Sequence, residues 1–311
     1  MGKFLSSKGK EFCMHKLLNS YLFIISMLIL SSCSSPVSLA ELKKSINAEL
    51  SADKGVFAVA WKNLSTGEQL LLNEKEVFHA ASTMKTPVLI EVYKQAAAGN
   101  FSLSDSITIK NEFRSIVDSS TYSLDSADDS EQELYKHVGE KRTLSSLLYD
   151  MIIVSSNLAT NMIIELVGAK NVTQTMRSLG ANDIQVLRGV EDDKAFEKGL
   201  NNSTTAYDLM LIFEKIAHGA AVDSVSSQAM IKILLDQKFN EIIPARLPAA
   251  VKVAHKTGSI TGVQHDSGIV FLPDGQKYVL VLLSKNLKNE KAGIEAMARV
   301  SALIYEYMSK Q

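Results

Sequence analysis

Val251-Lys252-Val253-Ala254-His255-Lys256-Thr257-Gly258, Ile269-Val270-Phe271-Leu272-Pro273-Asp274-Gly275 and Tyr278 to Leu283 form a C-terminal stretch in which short apolar runs alternate with turn residues. A Pro-Asp-Gly turn between two such runs reads as a strand hairpin. The same theme stands near the other end, where Val56 to Trp61 and Gln69 to Leu72 flank Asn63-Leu64-Ser65-Thr66-Gly67. Between these ends the period changes. Leu144, Leu147, Leu148, Met151 and Ile152, then Met162, Ile163, Leu166 and Val167 before Gly168, recur at helical spacing. Leu39, Leu42, Ile46 and Leu50 add a helix before the first strand, and Ile294 to Met308 add one after the last. Strands at both ends with helices between them predict an α/β plus all-α fold: an antiparallel sheet built from N- and C-terminal strands, flanked by helices, with an inserted helical lobe. The pattern assigns about 39–81 and 241–311 to the α/β lobe and about 82–240 to the helical lobe, with a site expected in the cleft between them. Asp118 to Glu133, polar, Ser-rich and acidic, reads as a solvated loop.

With 311 residues, 46% hydrophobic and 22% charged, the chain can bury a full core, which excludes disorder throughout. Thirty-three Lys plus Arg against 34 Asp plus Glu leave a net charge of -1, so no long-range attraction to nucleic acid or anionic lipid is expected. The only cysteines, Cys13 and Cys33, precede the folded part, which therefore has neither a disulfide framework nor a thiolate metal site. Lys16 followed by the apolar run Leu22 to Leu30, interrupted only by Ser26, is too short to span a bilayer and has the length of a signal-peptide core. Leu30-Ser31-Ser32-Cys33 resembles a bacterial lipobox, in which the cysteine is acylated. Residues 1–33 are then expected to form a signal peptide, 34–38 a tether and 39–311 the folded domain, with export to the periplasm or cell envelope and a lipid anchor at Cys33. Met14 is a second candidate start.

Three short motifs carry chemistry. Ser82-Thr83-Met84-Lys85 opens a helical pattern through Val88, Leu89 and Val92, and Pro87 is tolerated only in a first turn, which puts Ser82 at a helix N-terminus. Residues three apart share a helix face, so the Lys85 amine is expected within reach of the Ser82 hydroxyl. Ser155-Ser156-Asn157 lies between Met151-Ile152-Ile153-Val154 and the next apolar stripe, where polar groups need partners. Lys256-Thr257-Gly258-Ser259 follows an apolar run and offers a cation, a hydroxyl and a glycine that permits close backbone approach. Singly, each motif is common: Ser7/Lys10 and Ser51/Lys54 repeat the first spacing, and Ser45-Ile46-Asn47 and Ser284-Lys285-Asn286 repeat the second. Their order along one chain is what rises above chance.

In that order, S-x-x-K, S-x-N and K-T-G, the chain from about Leu39 onward resembles the class A β-lactamases and related penicillin-recognising serine hydrolases. The resemblance implies a β-lactamase/transpeptidase-like fold and opening of the β-lactam ring through an acyl-enzyme. It makes Ser82 the nucleophile, Lys85 a proton acceptor or relay, Ser155 the proton donor to the leaving nitrogen and Asn157 a ligand for the substrate amide. Lys256 and Thr257 would bind the substrate carboxylate, and the N–H groups of Ser82 and Ser259 would form the oxyanion hole beside Gly258. In Arg188-Gly189-Val190-Glu191-Asp192-Asp193, Glu191 falls where the family's Ω-loop glutamate activates water, and Asn202-Ser203-Thr204-Thr205-Ala206 resembles the end of that loop.

Three departures accompany the resemblance. Ser156 stands where the signature has Asp; Ala195 stands where a water-holding Asn follows the glutamate by four residues, with Asn201 and Asn202 as nearby substitutes; and no arginine lies between Arg246 and Arg299 to assist carboxylate binding. A D-alanyl peptidase, another serine amidase or esterase, or a low-turnover penicillin-binding protein would use the same acylation machinery. The expected partner is a small β-lactam or a D-Ala-D-Ala-like peptide, bound by a monomer without cofactor or metal. His255 and His265, flanking the third motif, read as structural or wall residues, and no H-E-x-x-H or G-x-S-x-G pattern occurs.

Overall fold

The strands of the main sheet read as apolar runs because both faces of the sheet are covered. The computed structural model describes residues 1–2 and 38–311; the apolar run Leu22 to Leu30 and Cys33, the expected lipid anchor, lie outside the described residues. Residues Leu39–Gln311 form one unit. Five antiparallel strands, β1 (Val56–Asn63), β2 (Gln69–Leu72), β3 (Lys252–Ile260), β4 (Val263–Phe271) and β5 (Lys277–Lys285), lie in the order β2-β1-β5-β4-β3. The described helices are α1 (Leu39–Ser51), α2 (Lys85–Ala97), α3 (Leu144–Ile153), α4 (Asn157–Val167), α5 (Ala169–Ser178), α6 (Asp193–Glu197), α7 (Ala206–Ala217), α8 (Ser224–Leu234) and α9 (Glu290–Met308).

Side chains alternate between two cores, as the pleat requires. Phe57, Val59 and Trp61 of β1 and Leu280 and Leu282 of β5 pack with Leu42 and Ile46 of α1 and Val300 and Ile304 of α9. Trp61 meets the Tyr307 ring edge-on at 5.8 Å. On the other face Ala58, Ala60, Val279, Val281 and Leu283 join the core of the helical region, which includes Leu209, Ile212 and Phe213 of α7. The two alanines let that helix approach the sheet closely.

The inserted region departs from the expectation of mostly helix. Between the end of α2 and Leu144 it consists of loops, two short 3₁₀ turns and short strands, among them Ser106–Thr108 paired with Lys141–Thr143 and Phe113–Arg114 paired with Thr121–Tyr122. At the centre lies α2, in which every residue from Lys85 to Tyr93 is buried. A helix buried all round is a core element, which explains its weak amphipathic pattern. Asp118 to Glu133 is likewise not wholly solvated: Asp129 is buried. The third motif also sits differently from expectation. Lys256 to Ser259 lie inside β3, the strand at one end of the sheet order, because the ladder with β4 continues through Ile260↔Val263.

Candidate active site

Ser82 occupies a 3₁₀ turn, Ala81–Met84, that runs directly into α2, with Pro87 in the first helical turn. The turn is tightly braced. Ala81 adopts a left-handed φ of 44° and donates its N–H to His79 Nδ1 at 3.0 Å, and the Ala80 N–H donates to the Asn202 carbonyl at 2.8 Å. Behind it, His265 Nε2 donates to the His79 carbonyl at 2.9 Å, and burial pulls the His265 imidazole down to about 4, keeping the ring neutral. Gly258 of β3 presses against the same turn: a Cβ there would stand 3.0 Å from both the Ser82 and the Thr83 backbone nitrogens. Here glycine is required by close approach and not by its φ.

Lys85 points across the site. Its Nζ donates to the Ser155 carbonyl at 2.6 Å, to Ser155 Oγ at 3.1 Å and to Asn157 Oδ1 at 2.9 Å. These bonds use all three donors of the ammonium and tie Lys85 to the second motif. Lys256 Nζ reaches the same hydroxyl, donating to Ser155 Oγ at 3.0 Å and to the Thr257 carbonyl at 3.0 Å. Both ammonium groups are fully buried. Burial lowers Lys85 to about 7 against the raising effects of Asp129 and Glu191, and burial together with Lys85 pushes Lys256 well below its ordinary value.

Ser155, Ser156 and Asn157 divide their duties. Ser155, with φ 60°, turns its hydroxyl to the two lysines, whereas Ser156 caps α4 by accepting the Ala159 N–H at 3.2 Å. Asn157 Nδ2 donates to Glu191 Oε1 at 2.6 Å, so the amide bridges Lys85 and Glu191. Asp129 was missed in the sequence because only the folded loop brings it here. Its Oδ2 accepts the N–H groups of Asn157 and Leu158 at 2.9 Å each and the Tyr135 hydroxyl at 2.9 Å.

Glu191 also has a left-handed φ, 60°, within a loop held largely by side chains. Asn161 accepts the Val190 N–H at 2.6 Å and donates to the Val190 carbonyl at 3.0 Å, while Arg188 donates to the Leu200 carbonyl at 2.9 Å and to Asn201 Oδ1 at 3.0 Å. Asn202 Oδ1 accepts the Leu187 and Arg188 N–H groups, and its Nδ2 donates to the Arg188 carbonyl at 3.0 Å. Both ends of the Asn202 amide are thus engaged in closing the loop, Asn201 Oδ1 is taken by Arg188, and Ala195, which has no side-chain amide, is buried in α6. Burial raises the Glu191 carboxyl above the ordinary carboxylate range, opposed by the Asn157 hydrogen bond.

Ser82, Asp128, Asn157 and Ser259 line two cavities at once. One, of about 380 Å³, is also bordered by Ser155, Thr257, Gly258, Phe239 and Glu241; the other, of about 450 Å³, by Glu191, His79 and Phe196. No arginine borders the first cavity, among the described residues, whereas the hydroxyl residues Ser82, Ser130, Ser155, Thr257 and Ser259 do. His255 faces away, its Nδ1 paired with Asp266 Oδ1 at 2.8 Å inside the sheet. All nine expected catalytic and substrate-binding positions from Ser82 to Ser259 therefore fall in one region, joined through Ser155 and Asn157 or bordering its cavities.

A five-stranded antiparallel sheet carrying Lys-Thr-Gly beside a helical region carrying Ser-x-x-Lys defines a penicillin-recognising type of serine enzyme. The profile of the β-lactamase enzyme family matches residues 41–308, and the chain belongs to that family as a class A β-lactamase-like serine enzyme. It is 25% identical to a β-lactamase of Bacteroides uniformis over 92% of this chain and 99% of the relative. Among solved structures, the β-lactamase from Sphaerobacter thermophilus superposes with a TM-score of 0.74 at 27% identity, covering 88% of this chain and 98% of that one. PBP-A superposes with a TM-score of 0.76 at 27% identity, covering 88% and 97%.

Proposed function

We propose that the protein hydrolyses β-lactam amides through an acyl-enzyme on Ser82, with Glu191 directing water to release it. The observation that carries this reading is a continuous hydrogen-bonded line, Lys256–Ser155–Lys85–Asn157–Glu191, beside cavities that Ser82 lines. Ser82 Oγ attacks the lactam carbonyl and passes its proton to neutral Lys85; the Ser155 hydroxyl protonates the departing nitrogen and is resupplied from a lysine. The Ser82 and Ser259 N–H groups receive the oxyanion, a contribution of about 3–4 kcal/mol per donor in comparable sites. Glu191 then takes a proton from water as it attacks the ester, and Ser82 is restored. A substrate carboxylate at Thr257 opposes the effects that depress Lys256 and so favours its protonated form. Export and tethering through Cys33, supported by the Leu22 to Leu30 run and Leu30-Ser31-Ser32-Cys33, would place this chemistry in the cell envelope.

A second reading, a D-alanyl peptidase or a low-turnover penicillin-binding protein, is favoured by Ala195, which has no side-chain amide, and by the full engagement of Asn202 in closing the loop. A solved point mutant of PBP-A, described as its acyl-enzyme complex with penicillin G, resembles this chain at a TM-score of 0.76. Intact-protein mass spectrometry after mixing with penicillin separates the readings. Hydrolysis predicts turnover without a lasting adduct in the wild type and a stable adduct in Glu191→Ala. A persistent wild-type adduct supports the second reading, and no adduct in either protein, without turnover, rejects both.

A further inference from the structure

The structure assigns Asp129 as a positioning residue of the acylation step: from a loop 27 residues before Ser156, it supplies the carboxylate that the second motif lacks. The inference rests on the proposed roles of Ser82 and Lys85. An α-helix begins with N–H groups that have no partner within the helix, and a carboxylate there satisfies them and complements the helix dipole. In this chain the work is split between two segments. Ser156 Oγ takes the Ala159 N–H, and Asp129 Oδ2 takes those of Asn157 and Leu158 at 2.9 Å each. Tyr135 donates to Oδ2 at 2.9 Å, the Ser156 hydroxyl contacts it at 3.5 Å, and the Glu131 N–H donates to Oδ1 at 3.1 Å. With only 4% of its surface exposed, such a charge is tolerated only when so fully bonded.

Two consequences reach the chemistry. Asp129 holds the backbone of Asn157, whose side chain receives Lys85 and donates to Glu191. Its charge also acts on Lys85, which faces Lys256 from β3, Glu191 from the loop, and Asp129 from the 118–133 segment. Asp129 and Glu191 favour the ammonium, whereas burial disfavours it. Removing the Asp129 charge while keeping an acceptor therefore makes Lys85 easier to deprotonate.

The test is the rate of penicillin acylation against pH in full-length wild type, Asp129→Asn, Asp129→Ala and the double variant Asp129→Ala/Ser156→Asp, with folding checked by circular dichroism. Asp129→Asn is expected to move the acid limb to lower pH by about one pH unit, the scale of losing a neighbouring opposite charge. Asp129→Ala is expected to slow acylation about 10- to 100-fold, and Ser156→Asp to recover most of that loss by returning the carboxylate to the helix cap. A merely structural cap would lower the rate at every pH without moving the limb. An unmoved limb in folded Asp129→Asn overturns the inference. Should Asp129→Ala fail to fold, a double variant that folds and acylates supports it, and one that does neither overturns it. A wild type that penicillin never acylates overturns the functional reading instead.

Discussion

The strand that carries Lys256 to Ser259 and the loop that carries Glu191 border cavities that share Ser82 but are built by different physics. The strand is held by a nine-residue backbone ladder with β4 and by the buried His255–Asp266 pair. The loop is held mainly by Arg188, Asn161 and Asn202, whose side chains replace the ladder that irregular backbone lacks. Each wall contains one glycine that admits no side chain. At Gly258 a Cβ would press on Ser82 N and Thr83 N; at Gly189 it would collide with the Asn161 amide. In the proposed mechanism the first wall serves acylation and the second serves release, so the two steps should fail separately.

The largest effect removes the element common to both walls. Ser82→Ala should show no covalent adduct with penicillin by mass spectrometry, and any adduct at another serine would refute the assignment of the nucleophile. Next, Gly258→Ala should slow acylation about 100-fold in stopped-flow measurements, because the turn bearing Ser82 must shift by a fraction of an ångström or more. Gly189→Ala should do the reverse. It is expected to leave acylation within about twofold of wild type, slow deacylation about 10-fold and cost about 1–3 kcal/mol of stability through overpacking against Asn161. Equal losses in both steps for either glycine variant would break the comparison.

The smallest effect sharpens it. With Lys85 at about 7 and active as a base only when neutral, acylation should fall toward tenfold per pH unit as pH drops below about 7 and level off above it. The same depressed value has a stability sign. Between about 7 and the ordinary lysine range the unfolded chain binds the proton that the folded chain does not, so this group makes stability rise with pH there. A thermal-melt series in which Lys85→Met removes that slope would connect the acylation limb to Lys85.

Much of the strand wall was legible in the sequence, because a backbone ladder leaves a period: the runs around Val253, Ile269 and Leu280 announce strands, and Lys256-Thr257-Gly258 continues one of them. The motif was expected at the end of that strand, whereas the ladder runs on to Ile260, since Lys, Thr and Gly carry little strand signal. The loop wall was legible only through its resemblance to a known family. Asn161 and Asn202 look like any polar residues until the loop closes on them. Asp129 was read as solvated because it sits among Asp125, Asp128 and Glu131, and nothing local distinguishes the one carboxylate that turns inward. Nor could local sequence announce the left-handed backbone at Ala81, Ser155 and Glu191, three non-glycine positions held there by the surrounding bonds.

By itself, then, the sequence determined the sheet-and-helix architecture and the place of Ser82 at a helix start, through periodicity, Pro87 and motif order. Tertiary structure decided which hydrogen bonds those residues make. It turned Lys85 toward Ser155 and Asn157, set Asp129 at the start of α4 and occupied Asn201 and Asn202 in the loop. The physical reason is range: backbone periodicity is local and survives in the order of residues, whereas burial and hydrogen-bond partners depend on segments tens of residues apart.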